Sequence, residues 1–264
     1  GIRGSSLTAI DATVALAVRY GEFVEQGNQL VYRPAPDTRE FRITMLSRKG
    51  LLPEADFYHP VPYEPLVICT AEAVQRLIAT PEEGLLDRAF SLFKQELAAA
   101  DPAYAKERSL AQLELETFSD SYFAHRVNAE PFAWAEKNLR EAERDRLRKH
   151  TVAWRYAILR MHEVIALVVP HLDDIDFDRF SKYFKPIFVD DYATIPHESI
   201  KRLLALHVAG KLEVEALGEN YRVDSHRTEG GAVVRVEGKH LHFPAFIEAT
   251  GQRALAAKEF PFPS

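Results

Sequence analysis

The sequence predicts an α/β fold interrupted by a large all-helical insertion, and three observations carry that expectation. Residues 1–70 combine one strongly periodic helix with one β-type run. Residues 71–185 hold helical periodicity from end to end. Residues 186–245 return to one helix followed by short strands, and residues 246–264 form a closing segment. A switch of hydrophobic period from 3.6 to 2 and back is the sequence mark of mixed architecture.

Taken in order, residues 7–20 place apolar side chains at helical spacing, and Gly21 fits a stop. A polar stretch follows, then a β-type run over 41–46 ending in Ser47-Arg48-Lys49-Gly50. Gly50, Pro53, Pro60, Pro62 and Pro65 punctuate the next stretch, which predicts an irregular surface loop. Amphipathic spacing predicts helices over 73–78, 85–100, 109–123, 131–149 and 151–169. Asp101-Pro102 and Glu130-Pro131 mark helix starts, since proline suits a first helical turn. Residues 196–209 predict a helix stopped by Gly210, and strands follow over 212–216, 221–224, 232–237 and 239–243.

Composition narrows the classes of partner. The net charge is −6, with 47% hydrophobic and 27% charged residues, which suits a globular protein. An excess of carboxylates repels phosphate backbones and anionic lipid, so neither nucleic acid nor a membrane is an expected partner. The longest apolar run, residues 164–170, is far short of the ~20 residues a bilayer needs. No secretory leader is visible, and the single cysteine, Cys69, excludes an internal disulfide and any cysteine cage. A cytoplasmic location is the expectation. The chain starts at Gly1 rather than Met, inside what reads as a motif, and so reads as a fragment.

That motif is Gly4-Ser5-Ser6-Leu7-Thr8-Ala9. A dinucleotide-binding turn needs glycine where a strand bends into a helix and small residues where the backbone nears a pyrophosphate. Gly4 and Ala9 meet two of these needs, and Ser6 stands where a second glycine is usual. The helix from Leu7 would aim its N-terminus at the anion. The other reading of Ser5 and Ser6 is helix capping alone. At the end of the next strand, where an acid would hold a ribose and cations a 2′-phosphate, stand Ser47, Arg48 and Lys49. Two cations there favour NADP(H) over NAD(H). The spacing from Gly4 requires an insertion around residues 27–39.

Three separated signatures together resemble the FAD/NAD(P)-binding oxidoreductases related to flavin monooxygenases. Gly4-Ser5-Ser6-Leu7-Thr8-Ala9-Ile10-Asp11, followed by Leu46-Ser47-Arg48-Lys49-Gly50, is similar to that family's glycine turn and Ser-Arg-x-Gly strand end. Residues 184–196, with the helix and Ala209-Gly210-Lys211-Leu212 after them, look like its passage from a helical insert back to the sheet. Phe246-Ile247-Glu248-Ala249-Thr250-Gly251 is similar to its crossing toward the flavin domain. The resemblance implies a Rossmann-like NAD(P)-binding domain made of residues 1–70 and 186–245, with 71–185 as the helical insertion. It implies that 246–264 return toward a flavin domain whose own glycine motif lies outside this chain. The implied activity is hydride transfer from NADPH to a flavin, with NADP or NAD as the cofactor here and FAD in the full-length protein. Gly4, Ser5, Ser6, Leu7 and Thr8 would hold the pyrophosphate; Ser47, Arg48 and Lys49 the 2′-phosphate; Thr250 and Gly251 would line the approach. No acid, base or nucleophile stands out, and the small-molecule substrate is not legible. The alternatives are a non-catalytic Rossmann-like module and a helical interaction protein that no longer binds nucleotide.

Other constellations carry less. His162, His171, Asp173, Asp174, Asp176 and Asp178 lack metal-site spacing, so an inter-helix loop whose acids cap the next helix is the better account. Asp190-Asp191 can be read as a carboxylate pair for acid–base work, but neighbours usually point apart and turn or capping duty is the stronger reading. No metal site is expected. Aromatic residues at 118–123 and 132–134 serve either the core of the insertion or a homo-oligomer surface, the core being favoured.

Overall fold

In the computed structural model, which describes residues 1–250 apart from 28, 81 and 226–229, the chain opens with β1 (Ile2–Arg3) and α1 (Leu7–Tyr20). The helix has the predicted bounds because Ala9, Ile10, Thr13 and Ala17 recur on one face and are buried. Next come β2 (Gly21–Gln26) and β3 (Gln29–Pro34), an antiparallel hairpin in which Phe23 faces Tyr32. This hairpin occupies the stretch read as a polar connection. Tyr32 anchors it, donating its hydroxyl to the Ala17 carbonyl at 2.9 Å from a buried position. β4 (Ile43–Ser47) then enters the sheet.

A second compact unit spans Pro53–Ile200. It contains α2 (Ala71–Ala79), α3 (Leu85–Ala100), α4 (Pro102–Glu107), α5 (Leu115–Val127), α6 (Pro131–Arg148), α7 (Ala153–Ala166), α8 (Asp174–Arg179) and α9 (Lys185–Tyr192). Starts are set by caps: the side chains of Thr70, Asp101, Glu130 and Asp173 each accept from a backbone N–H in the first turn that follows. A π-helical turn, Phe180–Phe184, joins α8 to α9. The core is aromatic, with Phe93 edge-on to Phe184 at 5.0 Å and to Phe118 at 5.6 Å. Phe118, Phe123 and Phe132 are buried, so the aromatic stretches weighed as a surface pack inside this unit. Its two ends are stitched together: Ala55 pairs with Ile195 in a parallel bridge, Asp56 N–H donates to the Ile195 carbonyl, and Ile195 N–H donates to the Glu54 carbonyl, both at 2.9 Å.

The first unit, residues 1–52, resumes from Lys201 inside α10 (His197–Val208). β5 (Leu212–Ala216), β6 (Tyr221–Ser225), β7 (Ala232–Val236), β8 (Lys239–Phe243) and β9 (Ile247–Glu248) follow. β5, β4, β1 and β9 make one parallel sheet in that spatial order, with Ile43 opposite Leu212 and Ile2 opposite both Met45 and Ile247. Parallel neighbours need crossover connections, and α1 supplies one between β1 and β4. β6, β7 and β8 form a separate antiparallel sheet whose Val234 packs with Leu46 and Leu217. The fold is therefore mixed α/β with a parallel sheet and many helices. No described helix is long and apolar enough to cross a membrane.

Candidate functional site

At the carboxyl end of β1 the chain turns at Gly4, whose φ is +130°. A Cβ there would come within 2.5 Å of the Ala249 carbonyl oxygen, and the Gly4 N–H donates to the Leu46 carbonyl at 2.8 Å. The glycine is therefore required by the close approach of the backbone just past β9. Ser6 occupies the N-cap position of α1 in extended conformation, yet its side chain makes no capping hydrogen bond. The first-turn N–H groups of α1 are thus left without a side-chain acceptor from Ser6.

Gly4, Ser5, Ser6, Thr8, Ser47, Arg48 and Thr250 line one cavity of about 330 Å³, together with Arg3, Leu46, Tyr221 and Ala249. Seven of the residues singled out in the sequence thus meet in one place. Leu7 is 48% exposed and does not line it. Lys49 is exposed and is also outside the lining. Gly251 lies outside the described residues. Arg48 faces Glu219 at 3.8 Å, with both side chains largely exposed. Arg3 pairs with Glu248 at 2.5 Å; the hydrogen bond from that pairing holds the Arg3 guanidinium above its ordinary range. Thr250 donates its hydroxyl to Glu248 at 2.6 Å. Sequence reasoning missed Arg3 and Tyr221, since nothing local marks either; Arg3 lies over the Tyr221 ring at 5.9 Å.

The second unit holds a buried ionic network that the sequence hides. Arg155 pairs through Nη1 with Glu54 at 2.5 Å, and its Nε lies 3.5 Å from Asp191. Arg126 takes both oxygens of Asp190, at 2.6 and 2.7 Å, and lies 3.6 Å from Glu54. Tyr122 and Trp134 donate to Asp190 and Glu54 at 3.0 and 2.9 Å. Burial raises the Glu54 carboxyl, but Arg155 and Arg126 outweigh it and hold the group below its ordinary value. Asp191 behaves oppositely: burial first, then Asp190 and Glu54, push it up to about 8 against the pull of Arg155. Asp190 and Asp191 do point apart, one to Arg126 and the other to Arg155. Both serve this network, in place of the turn or capping duty expected of them.

Elsewhere, Asp173 caps α8 by accepting from Asp176 N–H at 2.8 Å, as its loop predicts. Among the described residues no three histidine, cysteine or acidic side chains come together as metal ligands. Cys69 is fully buried, and burial followed by Glu96 pushes its thiol up to about 12.

Residues 70–192 match the family described as the YdhS-like middle domain. The match lies within the second unit. The whole chain is similar to a protein of Escherichia coli (strain K12) named "Uncharacterized protein YdhS", with 47% identity over 264 residues. That alignment takes in 100% of this chain and 49% of the relative, so the chain spans about half the length of the protein it matches.

Proposed function

We propose that the first unit is the NAD(P)H-binding portion of an FAD/NAD(P)-dependent oxidoreductase, built as a Rossmann-like domain. The observation that carries this reading is the convergence of Gly4, Ser5, Ser6, Thr8, Ser47, Arg48 and Thr250 on one cavity. Its position supports the same reading, because ligands of open parallel sheets bind outside the carboxyl ends of the strands. The order β5-β4-β1-β9 puts the third, second, first and last parallel strands side by side, an order that agrees with the 3-2-1-4 stretch of a doubly wound sheet and so supports the reading.

The residues present fit the group. The cavity lining offers the hydroxyls of Ser5, Ser6, Thr8 and Ser47 and the cations Arg3 and Arg48, beside the N-terminus of α1. Such a donor set suits a pyrophosphate, and the helix dipole favours the same charge. The nicotinamide, when bound, supplies a hydride for a flavin, the FAD belonging to the full-length protein. The chain's own part is to bind and orient. Ser6, whose side chain makes no capping hydrogen bond, would offer its hydroxyl to a phosphate oxygen, and Arg48, now in a long, exposed contact with Glu219, would hold a 2′-phosphate.

The test is titration of the flavin-loaded full-length protein with NADPH and NADH. NADPH is expected to bind more tightly. Replacing Arg48 and Lys49 together by Ala should weaken NADPH at least about tenfold more than NADH, the size expected for losing charge-assisted contacts. Equal losses would refute the NADP preference. Binding of neither nucleotide would refute the oxidoreductase reading and leave a non-catalytic module.

A further inference from the structure

The second unit contains a cavity of about 680 Å³ that the nucleotide reading does not use. Asp191 lines it while being only 1% exposed, and neither of its carboxylate oxygens accepts a hydrogen bond among the described residues. The 3.5 Å contact with Arg155 Nε is an ion pair without hydrogen-bond geometry. A buried carboxyl with both oxygens unmatched is costly unless something else meets it.

Charge counting says what that something is. The network holds two arginines, Arg126 and Arg155, against three carboxylates, Glu54, Asp190 and Asp191. Glu54 and Asp190 already take the close contacts of both guanidiniums, leaving Asp191 as the surplus carboxyl, with no close cation to ionise against. No lysine or arginine lines the cavity. Arg160, one turn further along α7, donates instead to the carbonyls of Glu64 and Pro65. At the cavity wall stand a second, exposed carboxylate, Asp56, and the rings of Phe57, Tyr63 and Tyr192. His162 also stands at the wall, its Nδ1 donating to the Leu159 carbonyl at 2.5 Å. Carboxylates and aromatic faces together make a lining for a cation bearing N–H donors.

We propose that this cavity is a binding site for an organic ammonium ion with an apolar body, its N–H groups directed at Asp191. The ammonium supplies the third positive charge that the network lacks. The inference does not rest on the nucleotide reading of the first unit. Without ligand, burial and the neighbouring Asp190 and Glu54 keep Asp191 protonated at neutral pH, while Arg155 pulls the other way. Tyr122 and Tyr104, which also feel Asp191, have their own phenols pushed up, chiefly by burial, and stay neutral. His59, stacked on Tyr156, His162 and the phenols of Tyr63 and Tyr192 are the remaining titratable groups at the wall besides Asp56. Binding an ammonium ionises Asp191, so the cation and the proton exchange.

Calorimetric titration of the full chain with 2-phenylethylammonium, 2-phenylethanol and 3-phenylpropionate tests this. The amine is expected to bind saturably and at least about tenfold more tightly than the alcohol, with the acid not binding, as one desolvated charge pair would give. Its affinity should rise about tenfold per pH unit between pH 6 and 7 and flatten toward pH 8, with about one proton released at pH 7, because one group that titrates at about 8 must ionise. Asp191→Asn should erase the preference for amine over alcohol and the proton release. Should that variant fold poorly, exposed Asp56→Asn is expected to leave the fold intact and weaken the amine a few-fold. Equal binding of amine and alcohol, preference for the acid, a pH-independent affinity, or no saturable amine binding up to millimolar concentration would each overturn the proposal.

Discussion

Gly4 combines a φ of +130° with a carbonyl oxygen 2.5 Å from where a Cβ would sit, and that oxygen belongs to the backbone of Ala249. Backbone cannot step aside as a side chain can. Gly4→Ala should therefore cost at least about 2 kcal/mol, from disfavoured backbone geometry and overpacking together, read as a lower urea midpoint. Asp191 makes a prediction of opposite character. Between the ordinary carboxylate range and about pH 8, the folded chain holds a proton on Asp191 that the unfolded chain releases. Stability from this group is full below that window and is lost as pH rises through it. Asp191→Asn carries no such proton. Its stability relative to the parent should thus increase from pH 5 to pH 8.5, and a constant difference across that range would show that Asp191 is not protonated in the fold. Cys69, buried with a raised thiol, should resist a thiol reagent such as dithionitrobenzoate until the chain is denatured.

At the scale of elements, the extended chain before α2 is held by one side chain of α3. Glu96, 2% exposed, accepts from the N–H groups of Val67, Ile68 and Cys69, at 3.1, 2.6 and 2.9 Å. Glu96→Gln replaces one acceptor oxygen by a donor facing donors and should cost about 2–3 kcal/mol in a denaturant titration. This tie is not legible in the sequence, where Glu96 is one charged residue in an amphipathic helix. Helices and strands whose pattern is local were legible: α3 and β5 have the bounds that periodicity assigned. The hairpin of β2 and β3 was missed because Glu22, Glu25 and Gln29 dilute its alternation, although Gly27-Asn28 between two such runs is a hairpin signal. α9 was read as a passage to the sheet because its proline and two adjacent acids obscure a helix only eight residues long. The same contrast separates the two cavities. One is assembled largely from the contiguous turn 4–8 and the strand end at 47–48, so its residues could be named from spacing. The other depends on Glu54, Arg126, Arg155 and Asp191, far apart in the chain, and only packing brings them together.

At the scale of the whole molecule, composition and packing divide the chain at different places for a physical reason. Composition changes where helical periodicity begins and ends, near residues 70 and 185. Packing assigns 53–70 and 186–200 to the helical unit as well, because these segments bond to its helices and to each other. With 33 basic and 39 acidic residues, the chain should show no retention on duplex DNA at physiological salt in a mobility-shift assay. The stitched ends at Ala55 and Ile195 have a further consequence, for the order of folding. β4 and β5 are neighbours in the sheet although residues 48–211 separate them, and joining them from an open chain means closing a very long loop. Once Ala55 and Ile195 have met, that loop is reduced to the short stretches 48–54 and 196–211, and each halving of its length removes about 0.6 kcal/mol of closure entropy. Pulse-labelling hydrogen exchange during refolding should therefore protect the amides of α3 and α7 before those of β4 and β5. The inserted helices are in this sense an assembly aid: by folding first, they make two distant strands behave as though they were close in sequence.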